Sequence, residues 1–93
     1  MTLRKPLRLT RTERFKKSVL ELDQRTRDKL KKQLRYLLSD LRHPSLHVKK
    51  IKGTQSIFEA RVNNSYRLTF EFGEGHEIIL RVVGKHNSAL KMP

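Results

Sequence analysis

The sequence predicts an α+β fold: a short N-terminal strand, a two-helix hairpin, then an antiparallel meander sheet packed on the helices. Three observations carry it. Apolar residues recur at helical spacing before Pro44 and at strand spacing after it. Clusters of Gly, Asn and Ser cut the second half into pieces of strand length. The chain has 93 residues, and chains of this size bury only roughly 60 to 70% of their unfolded surface, which supports one core and not two. Residues 1–93 are therefore read as a single domain, with 1–6 as a frayed, basic lead-in.

Leu7 and Leu9 alternate as a first strand. Thr10, Arg11, Thr12 and Glu13 have capping-box spacing, with Thr10 as the expected cap. Phe15, Val19 and Leu22 then form one apolar stripe, and Asp23 suits the cap of a second helix. In that helix Leu30, Leu34, Leu37, Leu38 and Leu41 fall on one face, leaving Lys31, Lys32 and Arg35 on others, until His43 and Pro44 end it. Strands are expected at 46–52, 57–62, 66–72 and 77–83, separated by Gly53-Thr54, Asn63-Asn64-Ser65 and Gly73-Glu74-Gly75-His76. The last strand is apolar on both parities, as suits a strand covered on both faces.

With 22 Lys and Arg against 9 Asp and Glu, the formal charge is +13. Residues 1–50 hold 16 of the basic and 5 of the acidic side chains, so the positive field is concentrated in the first half. Such a field favours a polyanion, of which nucleic acid is the commonest; an acidic protein, an anionic membrane surface or a merely solvated helix face would also answer it. No apolar run exceeds three residues, against about 20 for a membrane span. A cytoplasmic location with no membrane partner is expected. There is no Cys, so stability rests on packing and no Cys-based zinc site exists. No His, Asp and Glu cluster has metal-ligand spacing, and no phosphate loop or dinucleotide fingerprint occurs, so neither metal nor cofactor is expected.

Alternation places Tyr66, Leu68, Phe70 and Phe72 toward the helices with Phe58, Ala60 and Val62. The opposite parity then carries Glu59 and Arg61, Arg67, Thr69 and Glu71, and Ile79, Arg81 and Val83, continuing to Lys85. Three arginines on one helix-free face make a plausible cradle for an RNA backbone, since the planar guanidinium grips phosphate in two places. Cross-strand pairing with Glu59 and Glu71 on a solvent face is the plain alternative. Lys50 and Lys52 share one parity and Lys49 takes the other, so one set reaches the same cradle. His86, after Gly84 and Lys85, is the best acid or base candidate, because imidazole titrates near about 6.5. His43, His47 and His76 rank lower.

The order of these pieces, with Lys52-Gly53 before the meander, Phe58-Glu59-Ala60-Arg61-Val62, Tyr66-Arg67-Leu68 and the terminal Gly84-Lys85-His86, resembles the RelE/ParE superfamily of toxins from bacterial toxin–antitoxin pairs. The resemblance runs from about Leu7 to Lys91. It implies a RelE-like fold, a cognate antitoxin as protein partner, and an endoribonuclease that cleaves messenger RNA in the ribosomal A site. The reaction would be metal-independent attack of a 2′-hydroxyl on the adjacent phosphate. Arg67 would contact the phosphate, Arg61 would support it, and His86 would supply acid or base. Lys50 and Lys52 would join the catalytic set. Lys49, Arg81 and Lys85, with Lys31, Lys32 and Arg35 on the helix, would hold RNA.

Two departures stand out. Several RelE-type nucleases carry a tyrosine about six residues after the position matched by His86, where this chain has Met92, which leaves more of the work to His86. The first lysine of the matched strand in the best-known member corresponds to Glu59, which either accepts a proton or pairs with Arg61. Two alternatives from other functional classes are a ParE-like toxin that blocks DNA gyrase by binding alone, and a non-catalytic member that binds RNA or only its antitoxin.

Overall fold

In the computed structural model, residues 8–93 are described; the expected frayed lead-in and Leu7 lie outside them. The elements are β1 (Arg8–Arg11), α1 (Glu13–Leu20), α2 (Gln24–Ser39), β2 (Lys49–Lys50), β3 (Phe58–Arg61), β4 (Tyr66–Phe72), β5 (Glu77–Lys85) and α3 (His86–Lys91). Short 3-10 turns occupy Pro44–Leu46 and Glu74–His76. The five strands form one sheet in the order β1-β5-β4-β3-β2, with β1 parallel to β5 and every other pair antiparallel. The α+β expectation holds, with helices on the sheet and a meander from β2 to β5.

The core lies between one sheet face and the first two helices. Phe15, Leu22, Leu30 and Leu37 pack there with Ala60, Val62, Leu68, Phe70, Ile78, Leu80 and Val83. Apart from Val83, these are the positions that helical and strand periodicity single out. Asp23 caps α2 as expected, its carboxylate accepting from the Thr26 amide at 2.8 Å.

The α1 cap is Thr12 and not Thr10. Thr12 is extended and its hydroxyl accepts from the Phe15 amide at 3.1 Å, while donating to the Leu80 carbonyl at 2.8 Å. Thr10 belongs to β1, where its hydroxyl donates to Glu77. Pairing with β5 overrides the capping-box spacing, because β1 must extend to Arg11 to reach Leu80. Beyond that point Ser18 of α1 takes over: its hydroxyl accepts from the Val83 amide at 3.0 Å, satisfying a strand donor that β1 no longer covers. Thr12→Ala removes both the cap and the side-chain tie to β5, leaving the Thr12 amide on the Leu80 carbonyl, and should lower unfolding stability by about 1 to 2 kcal/mol in urea titration.

Asp23 also makes stability depend on pH. The Thr26 amide beside it holds its carboxyl below the usual carboxylate range, with help from Arg25 and Arg27. A folded-state pKa below the unfolded value of about 3.9 gives stability present above that pH and lost as pH falls through the folded value. Asp23→Asn keeps a competent cap but removes the titration, so acid-unfolding curves followed by circular dichroism should flatten below about pH 4.

Three further expectations need correction. The second helix stops at Ser39, before Leu41 and His43, because the Asp40 carboxylate accepts from the Arg42 amide and offers the chain a turn instead. The strand expected at 46–52 shrinks to Lys49–Lys50: Pro44 starts a 3-10 turn, the His43 ring accepts from the Ser45 amide, and His47 sits in the left-handed region at φ 46°. The end of the chain forms α3, a helix the sequence pattern did not reveal. It packs on β4 and β5 and buries Ala89, while Thr69 on the opposite parity from Leu68 donates to the Pro93 carbonyl. The face expected to be free of helices is therefore partly covered.

The pairing of β4 with β5 shifts between Thr69 and Phe70, so Thr69 opposes Val82 while Phe70 opposes Leu80. Arg81 is the extra residue of this bulge. The shift reverses the parity of β5 and buries Val83 opposite Leu68 in the core, not on the polar face.

Candidate active site

The polar face of β3 and β4 is built by register. Glu59 opposes Lys49 on one side and Thr69 on the other, and Arg61 opposes Arg67 directly. Two like charges across a ladder repel, and what fixes them is the β3–β4 turn. Asn63 Oδ1 accepts from the amides of Ser65 and Tyr66 at 2.9 and 2.8 Å, closing the turn as its side chain suits it to do. The Arg67 guanidinium then donates to the carbonyls of Asn63 and Tyr66 at 2.7 and 3.0 Å. Its Nε lies 4.0 Å from the Glu59 carboxylate, both side chains being nearly buried. Burial and the neighbouring Arg61 pull the Arg67 pKa down against the opposing pull of Glu59, and an arginine stays charged through such a shift.

Arg61 has the opposite status. Its Nε is buried and has no hydrogen-bond partner among the described residues. A buried guanidinium donor left unpaired is costly, and an anion beside it would relieve that cost.

The start of α3 completes the arrangement. The His86 amide donates to the Ser65 carbonyl at 2.8 Å, tying the end of β5 to the turn that holds Arg67. Gly84 opposes Arg67, and a Cβ there would meet nothing within 4 Å, so the space over Arg67 stays open. The result is a cleft of about 290 Å³ lined by His47, Val48, Lys49, Glu59, Arg61, Arg67 and His86.

Of the residues proposed from sequence, Arg67, Arg61, Glu59, His86 and Lys49 thus come together. Glu59 pairs with Arg67, not Arg61. Lys50 opposes Phe58 on the other parity and Lys52 follows the strand in a turn, so it is Lys49 that lines the cleft. Arg81 is held elsewhere, its guanidinium donating to Glu71 at 2.5 Å and to the Pro93 carbonyl at 3.0 Å. Lys85 opposes Tyr66 and so does not continue the polar parity, a consequence of the bulge. Lys31, Lys32 and Arg35 are exposed on α2 and line neither this cleft nor its neighbour. The residue missed is His47. A strand reading hid it, although the preceding Pro44 was the available sign of a turn that brings it to the cleft.

Chemically, the cleft brings three cations, one carboxylate and two imidazoles to one lining. It suits an anion that develops charge on its oxygens while protons move at two positions. Among the described residues no group of three or more His, Cys, Asp or Glu side chains could hold a metal ion, and no helix is long and apolar enough to cross a membrane.

No family model and no curated protein matches the chain. Solved structures do. The chain is similar to YafQ from Escherichia coli BL21(DE3), at 16% identity over 86% of this chain and 93% of that one, with a TM-score of 0.72. It is similar to a chain of the RelB–RelE antitoxin–toxin complex from Methanococcus jannaschii, at 24% identity over 90% and 99%, TM-score 0.70. The YoeB/ParE toxin from Agrobacterium tumefaciens matches at 15% identity over 86% and 99%, TM-score 0.72. The TM-scores and the near-complete coverage agree: the chain has the RelE-like fold of these toxins.

Proposed function

We propose that this chain is the toxin of a toxin–antitoxin pair and acts as a ribosome-dependent endoribonuclease on messenger RNA in the A site. The observation that carries this is the Arg61–Arg67 pair, one guanidinium pinned and the other with a buried Nε unpartnered among the described residues, lining a single cleft with His47 and His86.

The 2′-hydroxyl of one nucleotide attacks the adjacent phosphorus, the bond from phosphorus to the 5′ oxygen breaks, and a 2′,3′-cyclic phosphate and a 5′-hydroxyl end result. One imidazole accepts the 2′ proton and the other donates a proton to the departing 5′ oxygen. Arg61 and Arg67 meet the charge that builds on the phosphorane oxygens. Glu59 holds the Arg67 fork in place. With no tyrosine at Met92, proton transfer falls to the histidines. The ribosome supplies the orientation of the strand, and the exposed Lys31, Lys32, Arg35, Lys50 and Lys52 contact its RNA.

The partner reading draws on solved neighbours that are complexes, the E. coli DinJ–YafQ toxin–antitoxin complex among them. A segment of an antitoxin would cover the basic cleft and neutralise it. Gyrase blockade by binding alone would require no convergence of two imidazoles on an arginine pair.

The test is chemical. Replacing the 2′-hydroxyl of the nucleotide 5′ to the cut by hydrogen should abolish cleavage of a ribosome-bound message. Unchanged cleavage of that substrate would overturn the mechanism.

A further inference from the structure

A second recess of about 290 Å³ adjoins the first and shares two of its residues, Arg61 and His47. Its remaining lining comes from Lys29 and Gln33 on α2, Ser45 in the 3-10 turn, and 62–64 in the β3–β4 turn. The polar capacity left over in it leans toward donors, although the Gln33 oxygen, which takes only the Ser45 hydroxyl at 3.5 Å, and the Asn64 side chain can still accept. Gln33 is buried and spends its amide nitrogen on the carbonyls of Ser45 and Arg61, at 3.3 and 2.8 Å. Asn63 spends its side-chain oxygen on two backbone amides, which leaves its NH₂ group as the available part. Lys29 makes none of the ion pairs found among the described residues. Arg61 Nε has no partner among the described residues. No carboxylate lines this recess, whereas the first cleft contains Glu59.

We propose that this second recess binds the phosphate next to the one being cleaved, so that Arg61 stands between two consecutive phosphodiesters of one RNA strand. The inference rests on the nuclease function proposed for the first cleft. A recess with no carboxylate, whose charged groups are both cations and whose Asn63 amide is free only to donate, selects an anion over a base edge, which presents acceptors and donors together. The missing carboxylate and single histidine equip it to hold a phosphate and not to move two protons. Lys29 is its anchoring cation, and the Asn63 amide its orienting donor.

The experiment compares a 2′-O-methyl dinucleoside monophosphate with the corresponding trinucleoside diphosphate, neither of which can be cleaved by 2′-hydroxyl attack. Binding to the full chain is followed by NMR titration at several salt concentrations. In the wild type the second phosphate should raise affinity by about tenfold and steepen the dependence of log affinity on log salt by about 0.7, the value for one added contact to a single strand. It should also move the Asn63 side-chain amide signals, which the dinucleotide leaves in place. Lys29→Ala should erase the gain for the longer ligand and leave dinucleotide binding unchanged. Lys17→Ala, which removes an exposed cation of α1 lining neither recess, should retain the gain.

A gain that survives Lys29→Ala, or that leaves the Asn63 amide unmoved, would overturn the second site while the first stands. Equal affinity of the wild type for both ligands would do the same. Failure of the wild type to bind either ligand would overturn both sites together.

Discussion

Arg67→Ala lowers cleavage of messenger RNA on ribosomes by roughly 10²- to 10³-fold, the usual cost of removing one donor aimed at developing oxyanion charge. The loss falls on the chemical step. Arg67 is nearly buried, pinned by two turn carbonyls and Glu59, so its geometry is set before substrate arrives and none of its binding depends on reorganisation. Affinity for the ribosome should fall only severalfold, because many exposed cations share that contact. Single-turnover cleavage at saturating protein separates the two quantities. The same substitution removes the guanidinium from the Asn63 carbonyl, while the Tyr66 carbonyl keeps the Val62 and Asn63 amides, so circular dichroism must show the variant folded at the assay temperature. Glu59→Gln serves as the second variant: it keeps the shape and loosens the Arg67 fork, and cleavage should fall less than with Arg67→Ala. Equal losses of binding and cleavage in both variants would place Arg67 in docking alone.

His86→Ala and His47→Ala each lower the cleavage rate by roughly 10²- to 10⁴-fold, the span of a positioned acid or base. The pH profile distinguishes their roles. A group that must give a proton loses activity as pH rises past its pKa, and one that must take a proton loses it as pH falls. The wild-type rate should therefore be bell-shaped, and each alanine variant should lose one limb. The two groups act in a single displacement, so the double variant should be only slightly worse than either single one. His76→Ala changes a histidine in the 3-10 turn before β5 that lines neither recess, and should leave the profile intact. Full activity of His47→Ala would return the acid–base work to His86 and Glu59.

Most of the fold was legible from periodicity. The switch of period after Pro44, the stripe through Leu30 and Leu37, and the alternation through Leu68 and Phe70 each report a face that is buried, whereas Phe72 at the end of β4, expected toward the helices, stays exposed against Phe58 and Phe70. Local hydrogen bonding is what the pattern could not weigh. Thr10 and Thr12 offer the same hydroxyl, and only the pairing of β1 with β5 decides which one caps α1. Asp40 ends α2 early for a similar reason. The bulge at Arg81 has no sequence signature, and it alone buries Val83 and moves Lys85 to the other parity. In the cleft, Arg61 and Arg67 followed from strand register, as did Glu59. His47 did not, because a left-handed residue after a 3-10 turn was read as part of a strand. Arg81 does share the face of Thr69 and Glu71, but Glu71 and the Pro93 carbonyl hold it away from the cleft.

The central claim is that the cleft cuts messenger RNA only when the ribosome presents it. Mapping messenger RNA 5′ ends in a reconstituted translation reaction, with purified protein and with ribosomes present or left out, tests it most directly. The account predicts new 5′ ends at A-site codons with ribosomes and none without. Intact messenger in both reactions would contradict it.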